Sequence, residues 1–258
     1  MTPVRRLLEM MADPGPQATG PATRGLQSLA SEYLCHHHIG EMLDLYRVNC
    51  VFDVGANVGQ FAGELRELGY TGRIVSFEPA SAAFAQLSRA AAGDPDWQVH
   101  QLALGREERA GFIHTGWDTM NSLLAPSDYG RGRYERFTET RTEAVRVRRL
   151  ADVIDEALAG VDEPRPFLKM DTQGYDLEVF KGAGDRTGDF VGLVSEVALL
   201  PLYEGCPPMS EAVAEYQAAG FEVTGLYSVS RESTTGRVVE FDCVMMRARA
   251  APEPGWGD

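Results

Sequence analysis

Four acidic residues stand at or next to the ends of short apolar runs: Asp53, Glu78, Asp171 and Glu196. A carboxylate so placed can accept a proton, hold a cationic amine or take hydrogen bonds from hydroxyl groups, and it is costly to bury without such a partner. Glu78 follows Arg73-Ile74-Val75-Ser76-Phe77 and lies about twenty residues beyond Gly59. In nucleotide-binding α/β folds an acidic group at that interval accepts hydrogen bonds from ribose hydroxyls. The turn itself is Asp53-Val54-Gly55-Ala56-Asn57-Val58-Gly59, where an apolar run breaks and a helical pattern resumes at once. Such a turn points the free N–H groups of a helix start at a ligand. The dinucleotide fingerprint needs glycine at the third and sixth positions of the turn, where this chain has Asn57 and Gln60. Asn57 keeps a pyrophosphate from the backbone, so the pattern suits a ribose-bearing cofactor without one.

The remaining candidates divide by role. Asp53 can hold a cationic amine or the N–H groups of the turn, or simply cap the next helix. Phe167-Leu168-Lys169-Met170 delivers Asp171 to the same sheet edge as Asp53 and Glu78, and Gly174 then lets the chain turn into a helix, whose start Asp176 complements. Lys169 interrupts a strand that should be buried on both faces. Two roles stay open for it: neutralising a nearby carboxylate, or reaching the site with its ammonium. Glu196, in Val194-Ser195-Glu196-Val197, must meet a cation, a metal or a substrate proton, with Lys169 on the adjacent strand as one partner to test. The segment Gly116-Trp117-Asp118-Thr119-Met120-Asn121-Ser122-Leu123 reads as an acceptor-binding lid, and Leu200-Pro201-Leu202-Tyr203-Glu204-Gly205 as a loop over the pocket. His36-His37-His38 invites a metal reading, but consecutive rings on a helix diverge by about 100°, so the three cannot converge and a solvated or partly packed face is expected.

Positioning these groups requires alternating elements. Periodicity predicts helices over residues 29–46, 58–68, 81–92, 150–159, 175–181 and 209–219. Strands are predicted at 50–54, 73–77, 98–104, 166–170, 191–197, 221–228 and 238–246. Residues 110–148 are less regular, with one or two extended pieces. The alternation implies a mostly parallel sheet covered by helices on both faces, and the last two strands, with no helix between them, pair as an antiparallel hairpin. Residues 1–28 and 249–258 read as a flexible N-terminal segment and a loose tail around a single domain at 29–248.

Composition narrows the partners. A net charge of −14, from 38 acidic and 24 basic residues, argues against nucleic acid. No apolar run approaches a membrane span, and no apolar segment follows Arg5 and Arg6, so a cytoplasmic protein is expected. Cys35, Cys50, Cys206 and Cys243 are widely spaced and read as free thiols.

Taken together, these blocks resemble the FkbM family of S-adenosylmethionine-dependent methyltransferases. The resemblance rests on Phe52-Asp53-Val54-Gly55-Ala56-Asn57-Val58-Gly59, Phe77-Glu78-Pro79, Lys169-Met170-Asp171-Thr172-Gln173-Gly174-Tyr175-Asp176, Glu196-Val197 and Pro201-Leu202-Tyr203-Glu204-Gly205. It implies a Rossmann-like class I methyltransferase fold with a seven-stranded sheet, and methyl transfer to a hydroxyl of a sugar or secondary metabolite, as in natural product biosynthesis. It further implies that Asp53, Gly55, Asn57, Gly59, Glu78, Ala103 and Asp171 hold S-adenosylmethionine, with Gln101-Leu102-Ala103 beside the adenine. Asp171 and Glu196, with Lys169, become the catalytic candidates, either as proton acceptors or as ligands of a divalent cation such as Mg. Trp117, Asn121, Ser122 and Tyr203 become the acceptor-binding candidates. The partner is then a small-molecule acceptor, with no nucleic acid or membrane, and a homo-oligomer stays open. The competing readings are a non-catalytic S-adenosylmethionine-binding regulatory or scaffold protein and a nicotinamide-dependent oxidoreductase.

Overall fold

A computed structural model describes residues 21–116, 118–139 and 141–248. Its centre is a seven-stranded sheet in the order β3-β2-β1-β7-β8-β10-β9. The strands are β1 (Cys50–Val54), β2 (Arg73–Phe77), β3 (Trp97–His100), β7 (Pro166–Met170), β8 (Gly192–Ala198), β9 (Glu222–Arg231) and β10 (Val238–Met246). Pairing is parallel from β3 to β8, while β10 runs antiparallel to both β8 and β9. The expected hairpin therefore closes the sheet, with its second strand inserted between β8 and β9.

Side chains alternate between two buried layers, as the two-residue strand period requires. Phe52, Val54, Leu168, Met170, Leu193 and Met245 pack on one face against helices α5 (Ala151–Leu158), α6 (Asp176–Gly182) and α7 (Met209–Ala218). Val51, Phe167, Val194 and Val244 pack on the other against α1 (Pro21–Leu45), α2 (Gln60–Glu67) and α3 (Ser81–Ala91). Burial on both sides explains why the parallel strands read as continuous apolar runs.

Beyond shifts of a few residues at element ends, three features differ from expectation. Helix α1 begins at Pro21 instead of residue 29, so residues 21–28 of the segment expected to be flexible are helical; Cys35, Ile39 and Leu43, spaced by four, bury its inner face. The strand expected over 98–104 is two strands. β3 stops at His100, where the Leu102 N–H turns back to the His100 carbonyl, and β4 (Ala103–Gly105) joins a separate sheet. That sheet, ordered β4-β6-β5, resolves the irregular region: β5 (Arg109–Thr115) pairs antiparallel with β6 (Arg141–Arg149). A short helix α4 (Asp128–Arg133), capped by Ser127, lies between them. The tail at 249–258 and the residues before 21 fall outside the described residues.

Candidate active site

The C-terminal ends of β1, β2, β7 and β8 open into a cavity of about 520 Å³. Open α/β sheets bind ligands at this edge. Gly55, with φ of +73°, forms the floor of the turn, and a Cβ there would stand 2.0 Å from the Asp171 carbonyl oxygen. The turn after β1 and the loop after β7 are thus in backbone contact. Asn57 is also left-handed, with φ of +49°, and its N–H donates to Glu78 Oε2 at 2.9 Å. The Ala80 N–H donates to Glu78 Oε1 at 2.8 Å. These bonds fix the carboxylate of Glu78 against the cavity and leave lone pairs on both oxygens. Burial outweighs the two amides and raises Glu78 above the usual carboxylate range. Leu102, Ala103 and Leu104 line the cavity on the same side as Phe77 and Pro79.

Beneath the turn lies an ion pair. Asp53 and Lys169 are register partners on β1 and β7, and Lys169 Nζ sits 2.9 Å from Asp53 Oδ1. The Ser76 hydroxyl donates to Asp53 Oδ2 at 2.9 Å. Lys169 also donates to the Gly55 carbonyl at 2.8 Å. Burial pulls the lysine pKa down, but Asp53 and then Asp171 outweigh it and leave it raised. Lys169 therefore takes the first of its two roles: it touches the cavity, yet its ammonium is committed to Asp53 and the turn. Asp53, fully buried, does not reach the cavity, and neither does Gly59, whose missing Cβ makes room for Trp97 and Leu87. The expected direct contacts of these two with a cofactor are corrected to support of the turn.

Asp171 and Glu196 do come together, through Gln173. The Gln173 amide nitrogen donates to Asp171 Oδ1 at 2.8 Å and to Glu196 Oε2 at 3.0 Å, while the Tyr203 hydroxyl lies 2.9 Å from Gln173 Oε1. Gln173 is held left-handed, with φ of +56°, a strained conformation for a side-chain-bearing residue. An amide occupies the position where a bridging cation would sit, and among the described residues no group of three or more His, Cys, Asp or Glu side chains is arranged to hold a metal. The expected divalent cation finds no ligand set here. Nor does Glu196 pair with Lys169, whose neighbour on β8 is Val194. Its surroundings are acidic: burial first, then Glu240, Asp171, Asp242 and Asp176, push Glu196 well above the ordinary range.

Asp176 does more than complement a helix start. Its Oδ1 accepts from the Thr172 N–H at 2.7 Å, and its Oδ2 accepts from the Ser195 hydroxyl at 2.9 Å and the Glu196 N–H at 3.0 Å. This buried carboxylate ties the Asp171 loop to the strand carrying Glu196.

Of the expected acceptor-binding residues, Asn121 and Ser122 line the cavity. The Ser122 hydroxyl is spent within the protein, donating to the Gln173 carbonyl at 2.7 Å. Asn121 Oδ1 is buried without a partner. Tyr203 is 1% exposed and serves to hold Gln173, so its expected acceptor contact is corrected; Trp117 lies outside the described residues.

His36, Glu64, Glu240 and Asp242 line the cavity without having been assigned a site role from the sequence. His36 projects into the cavity from α1 with Nδ1 2.5 Å from Glu64 Oε2. The three histidines do diverge: His37 faces Glu41, and His38 meets the Tyr227 hydroxyl at 2.8 Å. Glu240 and Asp242 reach the cavity from β10. Their signal was the one used for Glu196, an acid inside an apolar strand.

A sheet of this order, with its antiparallel β10 and with the cavity at the first glycine turn, defines a Rossmann-like class I methyltransferase. The chain belongs to the FkbM methyltransferase family: the methyltransferase FkbM domain matches residues 53–223. It is 30% identical over 199 residues to methyltransferase sdnD of Sordaria araneosa, covering 67% of this chain and 74% of that one. It is 29% identical over 156 residues to methyltransferase 1 of Beauveria bassiana, covering 55% of this chain and 61% of that one. Among solved structures it is similar to an rRNA methylase from Streptococcus thermophilus, at 13% identity and a TM-score of 0.45, covering 84% of this chain and 96% of that one. It is similar also to Aeropyrum pernix fibrillarin with bound S-adenosyl-L-methionine, at 10% identity and a TM-score of 0.45, covering 83% and 74%. Among the described residues no helix is long and apolar enough to cross a membrane.

Proposed function

We propose that this protein transfers a methyl group from S-adenosylmethionine to a hydroxyl oxygen of a small molecule of the sugar or secondary-metabolite class. The observation that carries the reading is the joining of two halves in one cavity: the Gly55–Asn57 turn with Glu78, and the Asp171–Gln173–Glu196 cluster. The first half fits the nucleoside. Glu78 is buried and has lone pairs for ribose hydroxyls, Leu102 to Leu104 offer an apolar wall for adenine, and the Gly55–Asn57 turn lines the cavity where the amino-acid end would lie, with the Gly55 and Ala56 N–H groups themselves donating to the Phe77 carbonyl. When bound, the cofactor supplies an electrophilic methyl on a good leaving group, so the protein's part is alignment and proton removal.

Glu196 is the proton acceptor in this reading. Its burial among other acids raises its basicity above that of an ordinary carboxylate, which favours proton acceptance. Gln173 orients it together with Asp171, which stands nearer the turn. The net charge of −14 favours a small acceptor over nucleic acid, and a cytoplasmic setting goes with the reading. An acceptor screen with radiolabelled methyl cofactor tests it, read as label in the extracted small-molecule fraction. Binding of S-adenosylhomocysteine without transfer to any hydroxylated acceptor would favour a binding module and overturn the enzymatic reading.

A further inference from the structure

One wall of the cavity carries two carboxylates, Glu240 and Asp242, to which no described group of the protein donates. Glu240 is 6% exposed and lines the cavity, and no described donor reaches its carboxylate. Arg133, whose field acts on it, donates instead to the Arg231 carbonyl at 3.0 Å. Asp242 follows two residues later, on the same face of β10, and is the register partner of Glu196. Ser230, the register partner of Glu240 on β9, has a buried hydroxyl without a partner, as does Asn121 at its Oδ1. Buried polar groups in native proteins are satisfied. Ionised, these carboxylates call for donors and positive charge.

The cofactor's own cationic groups do not account for it. β10 lies three strands from β1, on the order of 14 Å at the usual strand spacing. A nucleoside held by Glu78 and the Gly55 turn would lie over the ends of β2, β1 and β7; Glu240 and Asp242, on β10, stand two strands beyond β7.

We infer that the acceptor is a hydroxylated amine, such as an amino sugar or amino alcohol, whose ammonium is seated between Glu240 and Asp242 while its hydroxyl faces Glu196. This rests on the methyl-transfer reading and narrows its substrate class. The ammonium is the anchor, and the hydroxyl remains the nucleophile. Burial and then Asp171 push Glu240 up to about 8, and the same two causes push Asp242 up to about 7. His36 and Lys169 offset part of this at Asp242, and Arg133 part at Glu240. Near neutral pH the pair accordingly carries protons that an arriving ammonium displaces.

The test is titration calorimetry on the full chain saturated with S-adenosylhomocysteine. The probes are amines paired with their uncharged N-acetyl counterparts, glucosamine with N-acetylglucosamine and 2-aminocyclohexanol with its N-acetyl derivative. At least one amine should bind about tenfold or more tighter than its partner, the gain expected of a charged hydrogen-bonded contact. Its heat should vary with the ionisation enthalpy of the buffer, as proton release requires. The double substitution Glu240→Gln and Asp242→Asn should erase the preference. No preference for the amine in either pair, or a preference that survives the double substitution, overturns the inference. Failure of the wild-type protein to bind S-adenosylhomocysteine would instead defeat the cofactor assignment, a separate and visible outcome.

Discussion

Gly55 and Asp171 meet backbone to backbone: a Cβ on Gly55 would stand 2.0 Å from the Asp171 carbonyl oxygen and 2.8 Å from its carbonyl carbon. The Asp171 N–H in turn donates to the Val54 carbonyl at 3.1 Å. The glycine turn and the Asp171 loop are therefore one unit, and the distance from the Gly55–Glu78 half of the cavity to the acid cluster is set by main chain.

Gly55→Ala should break that unit. The left-handed backbone alone costs a side-chain-bearing residue roughly 1–2 kcal/mol, and the clash must in addition displace Asp171. Affinity for S-adenosylhomocysteine, measured by calorimetry, should fall by more than about tenfold, which corresponds to ~1.4 kcal/mol. Unchanged affinity would mean that the turn does not carry the cofactor.

Lys169→Met should destabilise the fold, because it leaves the Asp53 carboxylate buried and unpaired. Removing one partner of a buried ion pair costs about 3–5 kcal/mol. Urea unfolding should show a loss of that order, partly recovered when Asp53→Asn is added. A catalytic lysine would behave differently, losing turnover at nearly normal stability.

Glu196→Gln should lower transfer by at least about 10²-fold, the scale of a general base, with S-adenosylhomocysteine affinity intact. The amide keeps the shape, and Asp176 still holds the Glu196 backbone N–H at 3.0 Å. Near-normal turnover would remove Glu196 from the proton-transfer role.

What was legible in the sequence follows from period and burial. β1, β2, β7 and β10 fall at the expected residues because each is an apolar run bounded by a turn or a charged residue. Asn57 and Glu78 were readable because a turn and its interval are local properties. The β3–β4 division was not, since Gln98 to Leu104 keeps a strand-like composition while the chain changes sheets at Gln101 and Leu102. Asp53 and Lys169 were each visible as charges in buried strands, but their pairing depends on β1–β7 register, which no single segment encodes. Gln173 stood in a quoted motif without a role, because its second acceptor, Glu196, comes from a separate strand. His36 was hidden by its neighbours: periodicity shows that the three rings diverge, not which one faces the cavity.

The acids of β10 give the fold a pH dependence of definite sign. Glu240 is raised from 4.5 to about 8 and Asp242 from 3.8 to about 7, both chiefly by burial. In the window between each pair of values the folded state binds more protons than the unfolded chain, so stability falls as pH rises. Their contribution is fully present below about 4 and is lost progressively up to about 8. The urea midpoint of the ligand-free protein should therefore be lower at pH 8.5 than at pH 6. Glu240→Gln, which titrates nothing, should shrink that difference, whereas Glu108→Gln on the exposed rim should leave it unchanged. A midpoint that rises across the window, or a Glu240→Gln protein with the full wild-type decline, would show that these carboxylates are already ionised in the folded state.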